Sequence, residues 1–285
     1  MNNTNTFIDL IIKFGGSAIT DKNTFETIKK EELLIAANCI RSCREAGLSC
    51  IVVHGAGSFG HHQAKRYQVN DGFVTATTKD ELDFKRQGFC LTRQSVTKLN
   101  QLVVNCLIDV GVPAVACSPG SSWEVDKKLP VRWPDEIIAG LVEKGFVPVL
   151  HGDCCVDKTL GCCILSGDTI IKSLCNAFTT RRVVFLADVA GIYNRPPDQP
   201  GAQLLKSILV NSDGLIQESV CTSQSCNDVT GGIQLKLKTA IDIVVQSKGR
   251  CPVFVTSIKS PDMNEVCLGK DSINHWNATS ITMHS

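Results

Sequence analysis

Leu48-Ser-Cys-Ile-Val-Val-His54 runs without a break into Gly55-Ala-Gly57-Ser-Phe-Gly60. The apolar, β-branched run reads as a strand buried on both faces, and the glycines end it in a tight turn. The pattern recurs along the chain. Phe7 to Phe14 (FIDLIIKF) closes on Gly15-Gly16, residues 146–150 (FVPVL) close on His151-Gly-Asp153, and residues 182–186 (RVVFL) lead to Asp188-Val-Ala-Gly191. Helical periodicity fills the intervals. One helix is predicted over about 24–46, with Leu33, Leu34, Ala37, Ile40 and Cys43 on one face and Gly47 as its stop. A long one starts near Asp80, carries Phe89, Val96, Leu99, Val103, Cys106 and Val110, and ends at Gly111. Shorter helices are predicted over 134–144, from Asp168 to about Ala177, and over about 232–246. Further strands are expected at 112–117, 253–255 and 281–283, with a hairpin pairing 154–156 against 162–165. Strands alternating with helices predict an α/β protein with a mostly parallel sheet. The loop from 194 to 201, with three prolines, marks the boundary between an N-terminal lobe (about 1–178) and a C-terminal lobe (about 179–285).

Composition narrows the function. The 285 residues carry 29 Lys+Arg against 28 Asp+Glu, a net +1 with histidines neutral. That balance offers no electrostatic footprint for nucleic acid or an acidic membrane surface, so any bound anion must be held by a local cluster of donors. No apolar stretch approaches the roughly 18 residues of a membrane span. The polar start, Met1 to Thr6, lacks the pattern of a secretory signal. The 15 cysteines therefore read as reduced, mostly buried small hydrophobes of a cytoplasmic protein, and the sequon Asn277-Ala-Thr279 as chance. The doubled cysteines Cys154-Cys155 and Cys162-Cys163 lack zinc-knuckle spacing, and neighbours in a strand face opposite ways. No metal-ligating residues are assigned.

In open α/β sheets, ligands bind outside the carboxyl ends of the strands. Here those ends are Gly15-Gly-Ser17, Gly55-Ala-Gly-Ser58, Gly152-Asp153 and Asp188-Val-Ala-Gly191, beside Lys13, Lys22 and His61. Glycines let backbone N–H groups approach a phosphate, and a helix N-terminus adds positive potential. Lys13 stands out because a charge at the end of an apolar strand needs a partner. Asp168 suits either a helix cap or a carboxylate that aligns lysines. Gly55-x-Gly57-x-x-Gly60 matches the dinucleotide fingerprint, but Asp80 and Glu81, at the right distance, begin a helix instead of ending a strand. A Walker A sequence is absent. Converging cations and N–H donors are what phosphoryl transfer between two anions requires. Lys236, after Thr230-Gly-Gly232, is the third candidate cation.

Together these segments resemble the amino acid kinase superfamily. They are Lys13-Phe-Gly-Gly-Ser-Ala-Ile-Thr-Asp-Lys22, Val53-His-Gly-Ala-Gly-Ser-Phe-Gly-His61, Leu150-His-Gly-Asp153, Ile164-Leu-Ser-Gly-Asp168, Asp188-Val-Ala-Gly-Ile-Tyr193 and Asp228-Val-Thr-Gly-Gly232. Gly57-Ser-Phe-Gly-His61 resembles its isopentenyl phosphate kinase branch, with fosfomycin kinase-like members next. The resemblance implies a three-layer αβα sandwich, usually homodimeric, that uses ATP and Mg2+ to phosphorylate a small-molecule phosphate, isopentenyl phosphate. It implies that Lys13, Lys22 and Lys236 contact ATP phosphates and the transferred group, with Gly15, Gly16, Ser17 and Gly232 along the phosphate path. Gly55, Ala56, Gly57, Ser58, Gly60, Gly152 and Asp153 would hold the acceptor, with His61 hydrogen-bonding its phosphate. Asp168 would organise the lysines, while Asp188, Gly191 and Tyr193 would lie by the nucleotide. Phe73, Val74 and the long helix would border the acceptor's hydrocarbon end. Ala56 replaces a common third glycine, which is tolerable if its φ is negative. A kinase for another phosphate or phosphonate and a non-catalytic ATP-binding regulatory protein are the alternatives.

Overall fold

The structure is a computed structural model and describes residues 6–216, 231–270 and 275–283. Its centre is an eight-stranded sheet. The strand order is Ser207–Val210, Ala278–Met283, Val253–Ser257, Val183–Ala187, Leu10–Phe14, Cys50–His54, Val147–His151, Ala114–Ala116. All neighbours are parallel except Val253–Ser257 and Ala278–Met283. The sheet passes unbroken from Leu10–Phe14 to Val183–Ala187, so both expected lobes share it.

The side-chain period of two along a strand builds the layers. Leu10, Ile12 and Phe14 enter one apolar core with Lys30–Glu45, Lys79–Asp109 and Met263–Leu268. Ile11 enters the other, with Asp135–Glu143, Gly167–Ala177 and Gly231–Gln246. Each of these four strand residues is 0% exposed. Burial of such a side chain contributes about 1.5–3 kcal/mol, which anchors a strand that must also carry Lys13. The result is the expected αβα sandwich.

Three local readings are corrected. The run from Phe7 splits at Asp9, whose carboxylate accepts from the N–H and hydroxyl of Ser49; Phe7–Ile8 then pairs with Thr179–Thr180 in a separate ribbon. The first long helix starts at Lys30, not near 24. Asp21 accepts from the Asn23 N–H and the Thr24 hydroxyl, and Thr20 bridges Ile28, so residues 20–29 double back as a turn that carries Lys22. Leu34 is exposed; Leu33, Ala36, Ala37, Ile40 and Cys43 form the buried stripe. The cysteine hairpin occurs as expected, between Asp153–Asp157 and Gly161–Leu165. Beside it lies an unforeseen hairpin, Glu124–Asp126 with Leu129–Arg132, completing a four-stranded sheet. Among the described residues every cysteine is a free thiol, and no helix is long and apolar enough to cross a membrane.

Candidate active site

The carboxyl ends of the central strands open into a cavity of about 720 Å3. Lys13, Lys22, His61, Asp168, Asp188 and Lys236 all line it, although more than 200 residues separate the first from the last. Between them lie Gly15, Gly16, Ser17, Gly55, Ala56, Gly57, Ser58 and Gly152. Ile164, Val189, Pro197 and Leu235 add an apolar portion that the sequence reading did not include.

Lys13 shares the sheet face of Ile11 and reaches the first turn of the helix Gly167–Ala177. Its Nζ donates to Asp168 Oδ1 at 2.7 Å, with both side chains nearly buried (8% and 11% exposed). The ammonium also sits 5.6 Å from the Phe185 ring centroid. Ser166, not Asp168, caps this helix, its Oγ accepting the Thr169 N–H. The cap therefore leaves the aspartate free for the lysine.

Lys22 extends from its turn to Asp188 Oδ2 at 2.8 Å. Burial works to raise the Asp188 carboxyl, but the Lys22 ammonium, the aspartate's own N–H and the Ser17 hydroxyl overcome it, leaving the pKa below the ordinary value. Lys236 lies on the helix Gly231–Gln246, in the field of both pairs. Burial first, then repulsion from Lys13, lowers its pKa, partly offset by Asp168 and Asp188. Three ammonium groups thus face two carboxylates. Cations in slight excess over carboxylates, two of the three largely buried, attract an anion.

The two glycine loops touch. A Cβ on Gly16 would fall 2.4 Å from the Gly57 nitrogen, and one on Gly57, where φ is +50°, would fall 2.0 Å from Thr20 Oγ1. Only glycine permits this approach. The Thr20 hydroxyl donates to the Gly16 carbonyl and accepts the Ser58 N–H, joining the loops. Ala56 has φ −73°, so its methyl group is accommodated as the negative-φ condition requires. The helix Gly57–Arg66 begins here; Thr20 takes the Ser58 N–H and the Ala56 carbonyl takes the Phe59 N–H, so this helix start brings positive potential to the cavity. His61, one turn on, stands at the rim. Desolvation, and then neighbouring His62, lowers its pKa.

Four expected site residues lie off the cavity wall. Asp153 is buried behind it, where its carboxylate accepts from Ser118 Oγ, the Gly120 N–H and the Cys154 N–H, with Arg93 Nε 3.7 Å away. Ser118, Gly120 and Arg93 come from segments distant in sequence, so Asp153 supports the Gly152 turn from behind. Gly60 packs on Ala56 and Val96, which a Cβ there would strike. Gly191 packs against Thr279, which accepts the Ile192 N–H. Tyr193 is half-buried and bridges Leu204. Gly232 is the second residue of its helix, and residues 228–230 before it lie outside the described residues. No group of three or more His, Cys, Asp or Glu suited to a metal occurs among the described residues. Both cavity aspartates face lysines.

The site thus combines cations and bare peptide donors, arranged to hold two anionic groups side by side. The amino acid kinase family model matches residues 10–257. Isopentenyl phosphate kinase of Arabidopsis thaliana is 37% identical across 82% of this chain and 83% of its own length. The isopentenyl phosphate kinase of Methanothermobacter thermautotrophicus is 30% identical across 92% and 96%. A solved isopentenyl phosphate kinase structure superimposes with a TM-score of 0.76 at 27% identity, covering 92% of this chain and 97% of its own. The chain belongs to the amino acid kinase family and, within it, to the isopentenyl phosphate kinases.

Proposed function

We propose that this protein transfers the γ-phosphoryl group of Mg·ATP to isopentenyl phosphate, forming isopentenyl diphosphate and ADP for isoprenoid biosynthesis. The observation that carries the reading is the convergence of Lys13, Lys22, Lys236 and His61 with two glycine loops on one cavity. An acceptor phosphate oxygen attacks the γ-phosphorus in line; the new P–O bond forms as the bond to the β-phosphate oxygen breaks. A phosphate monoester is already largely ionised near neutral pH, so no general base is required. The task left to the protein is positioning and charge compensation. Lys13 and Lys236 hold the transferred group, aligned by Asp168, and Lys22 follows the nucleotide phosphates, with Gly15, Gly16 and Ser17 along the path. The magnesium ion of the co-substrate neutralises charge on the ATP phosphates; this chain's contribution is the lysine set.

The Gly55 and Gly152 N–H groups are taken by the Phe14 and His54 carbonyls, so the peptide donors left to hold the acceptor phosphate are those of Ala56 and Gly57, with His61 donating to it. Ile164 marks where the hydrocarbon end leaves the phosphates. Phe73 and Phe89 pack with Ile164 around Tyr67, Val69, Cys154 and Cys162, whereas Val74 is exposed and has no part in this wall. The acceptor belongs to the N-terminal lobe and ATP to the C-terminal lobe, in a cytoplasmic homodimer. A coupled kinase assay with isopentenyl phosphate, dimethylallyl phosphate and fosfomycin side by side tests the reading. Turnover of the first far above the third is expected. Preference for fosfomycin, or ATP binding without transfer, overturns it.

A further inference from the structure

Two adjacent strands end in the same dipeptide, His54-Gly55 and His151-Gly152, and the histidines are in register. Both imidazoles are fully buried and stack at 5.4 Å between centroids, 17° from parallel. Each ring's Nδ1 lies within hydrogen-bond distance of the carbonyl of the glycine that follows, 3.1 Å to Gly55 and 3.0 Å to Gly152. Both glycines line the cavity, yet neither imidazole does.

Asn100 decides the protonation of the first ring. It projects from the long helix Lys79–Asp109, is buried, and its Nδ2 lies 3.1 Å from His54 Nε2 and 3.4 Å from the Val149 carbonyl. The Val149 carbonyl can only accept, which turns the amide nitrogen of Asn100 toward it and, with it, toward Nε2. Nε2 therefore accepts, Nδ1 carries the proton, and Nδ1–H donates to the Gly55 carbonyl. Complete burial, then the adjacent His151, pushes the His54 pKa down to about 3, so the ring stays neutral.

A trans peptide points its C=O and N–H in opposite directions. The Phe14 carbonyl holds the Gly55 N–H of the preceding peptide, and the Gly55 carbonyl, drawn inward by His54, sets the plane of the Gly55–Ala56 peptide. The Ala56 N–H then faces the cavity that Ala56 lines. We propose that His54, with its tautomer fixed by Asn100, is a positioning residue that aims the Ala56 N–H at the acceptor phosphate. The assignment rests on the reading that the Gly55–Gly57 loop receives that phosphate. His151 repeats only the Nδ1 contact, with the Gly152 carbonyl.

The full chain serves for the test. In long-range proton–nitrogen spectra of the free enzyme, His54 is expected to hold its proton on Nδ1 alone over about pH 5 to 8. A proton on Nε2 overturns the proposal, whatever ligand the cavity takes. In calorimetry, His54→Leu is expected to weaken isopentenyl phosphate about ten- to hundredfold while ATP shifts by less than about threefold. His54→Asn, whose amide reaches the same carbonyl, should recover most of the loss. Equal weakening of both ligands, or no recovery, makes His54 a core residue only and overturns the assignment. If His54→Leu does not fold, Asn100→Leu decides: mixed protonation of the ring with selective weakening of isopentenyl phosphate supports the proposal, and unchanged binding defeats it. Inorganic phosphate is titrated in parallel. The selective loss seen with phosphate, but no isopentenyl phosphate binding to the wild type, retires the substrate reading and leaves the positioning role standing.

Discussion

Replacing Lys13 by methionine preserves the apolar stem and removes the charge, stranding Asp168 in a site where its side chain is 11% exposed. Breaking a buried pair from one side costs about 3–5 kcal/mol, because the remaining charge has lost its compensation. Lys236 is close enough to Asp168 to be felt by it, so the lower end, about 3 kcal/mol, is expected. At about 2 °C per kcal/mol for a chain of this size, the melting temperature should fall by roughly 6 °C. Turnover should fall by about 10² or more, the cost of losing one preorganised charge contact in a transfer site. The double variant Lys13→Met/Asp168→Asn separates the two effects. It removes the stranded carboxylate, so melting should recover most of the loss while turnover stays low. Differential scanning calorimetry and the coupled ADP-release assay read both quantities on the same preparations. A Lys13→Met enzyme that melts within about 1 °C of the wild type would show that the pair carries no stability, since even 1 kcal/mol would move it further. Wild-type turnover in either variant would remove Lys13 from the transfer step.

Lys22→Ala should behave differently: its side chain is 64% exposed, so the melting temperature should hardly move while turnover drops sharply, read by the same assay. His61→Ala should leave a folded protein with turnover lowered about 10²–10³-fold; near-normal rates would remove it from the acceptor site. Gly57→Ala forces a Cβ to within 2.7 Å of the Gly16 carbonyl oxygen, at a φ of +50° that itself costs about 1–2 kcal/mol, and activity should be lost although circular dichroism still shows a folded chain. Acid sensitivity should trace partly to His54. Its pKa is about 3 when folded against 6.5 ordinarily, so the unfolded chain binds a proton that the folded one refuses. Stability is then full above about pH 6.5 and is lost on acidification toward 3, by about 2 kcal/mol at pH 5, which urea titrations should show and His54→Asn should abolish. Thr78→Ala removes the cap that accepts the Glu81 N–H and should cost about 1 kcal/mol in urea denaturation with turnover unchanged.

The strand-then-glycine pairs were legible because their pattern is wholly local: an apolar run long enough to be buried, then residues able to turn. Lys13 was legible for the opposite reason, as a charge out of place in such a run. Its partner was ambiguous, since Asp168 near a helix start fits a cap equally well; only the fold, which makes contact across 155 residues, gives the cap to Ser166. Asp153 was misplaced because Ser118, Gly120 and Arg93, which surround its carboxylate, come from other segments. The turn over residues 20–29 was hidden by helical periodicity that extends back from Lys30, and its origin is the Asx interaction of Asp21. Asn100 carried no signal at all: one amide on a long helix looks like any polar position until His54 faces it.

The Thr20 hydroxyl, bonded to one glycine loop and accepting from the other, has a consequence for how acceptors can be exchanged on this scaffold. On the proposed assignment of the two loops it acts as a gauge block, keeping the gap between them independent of what hangs from the acceptor. Remodelling around Ile164 can then admit a bulkier or smaller tail without recalibrating the reacting distance, so chemistry and clientele are free to diverge separately.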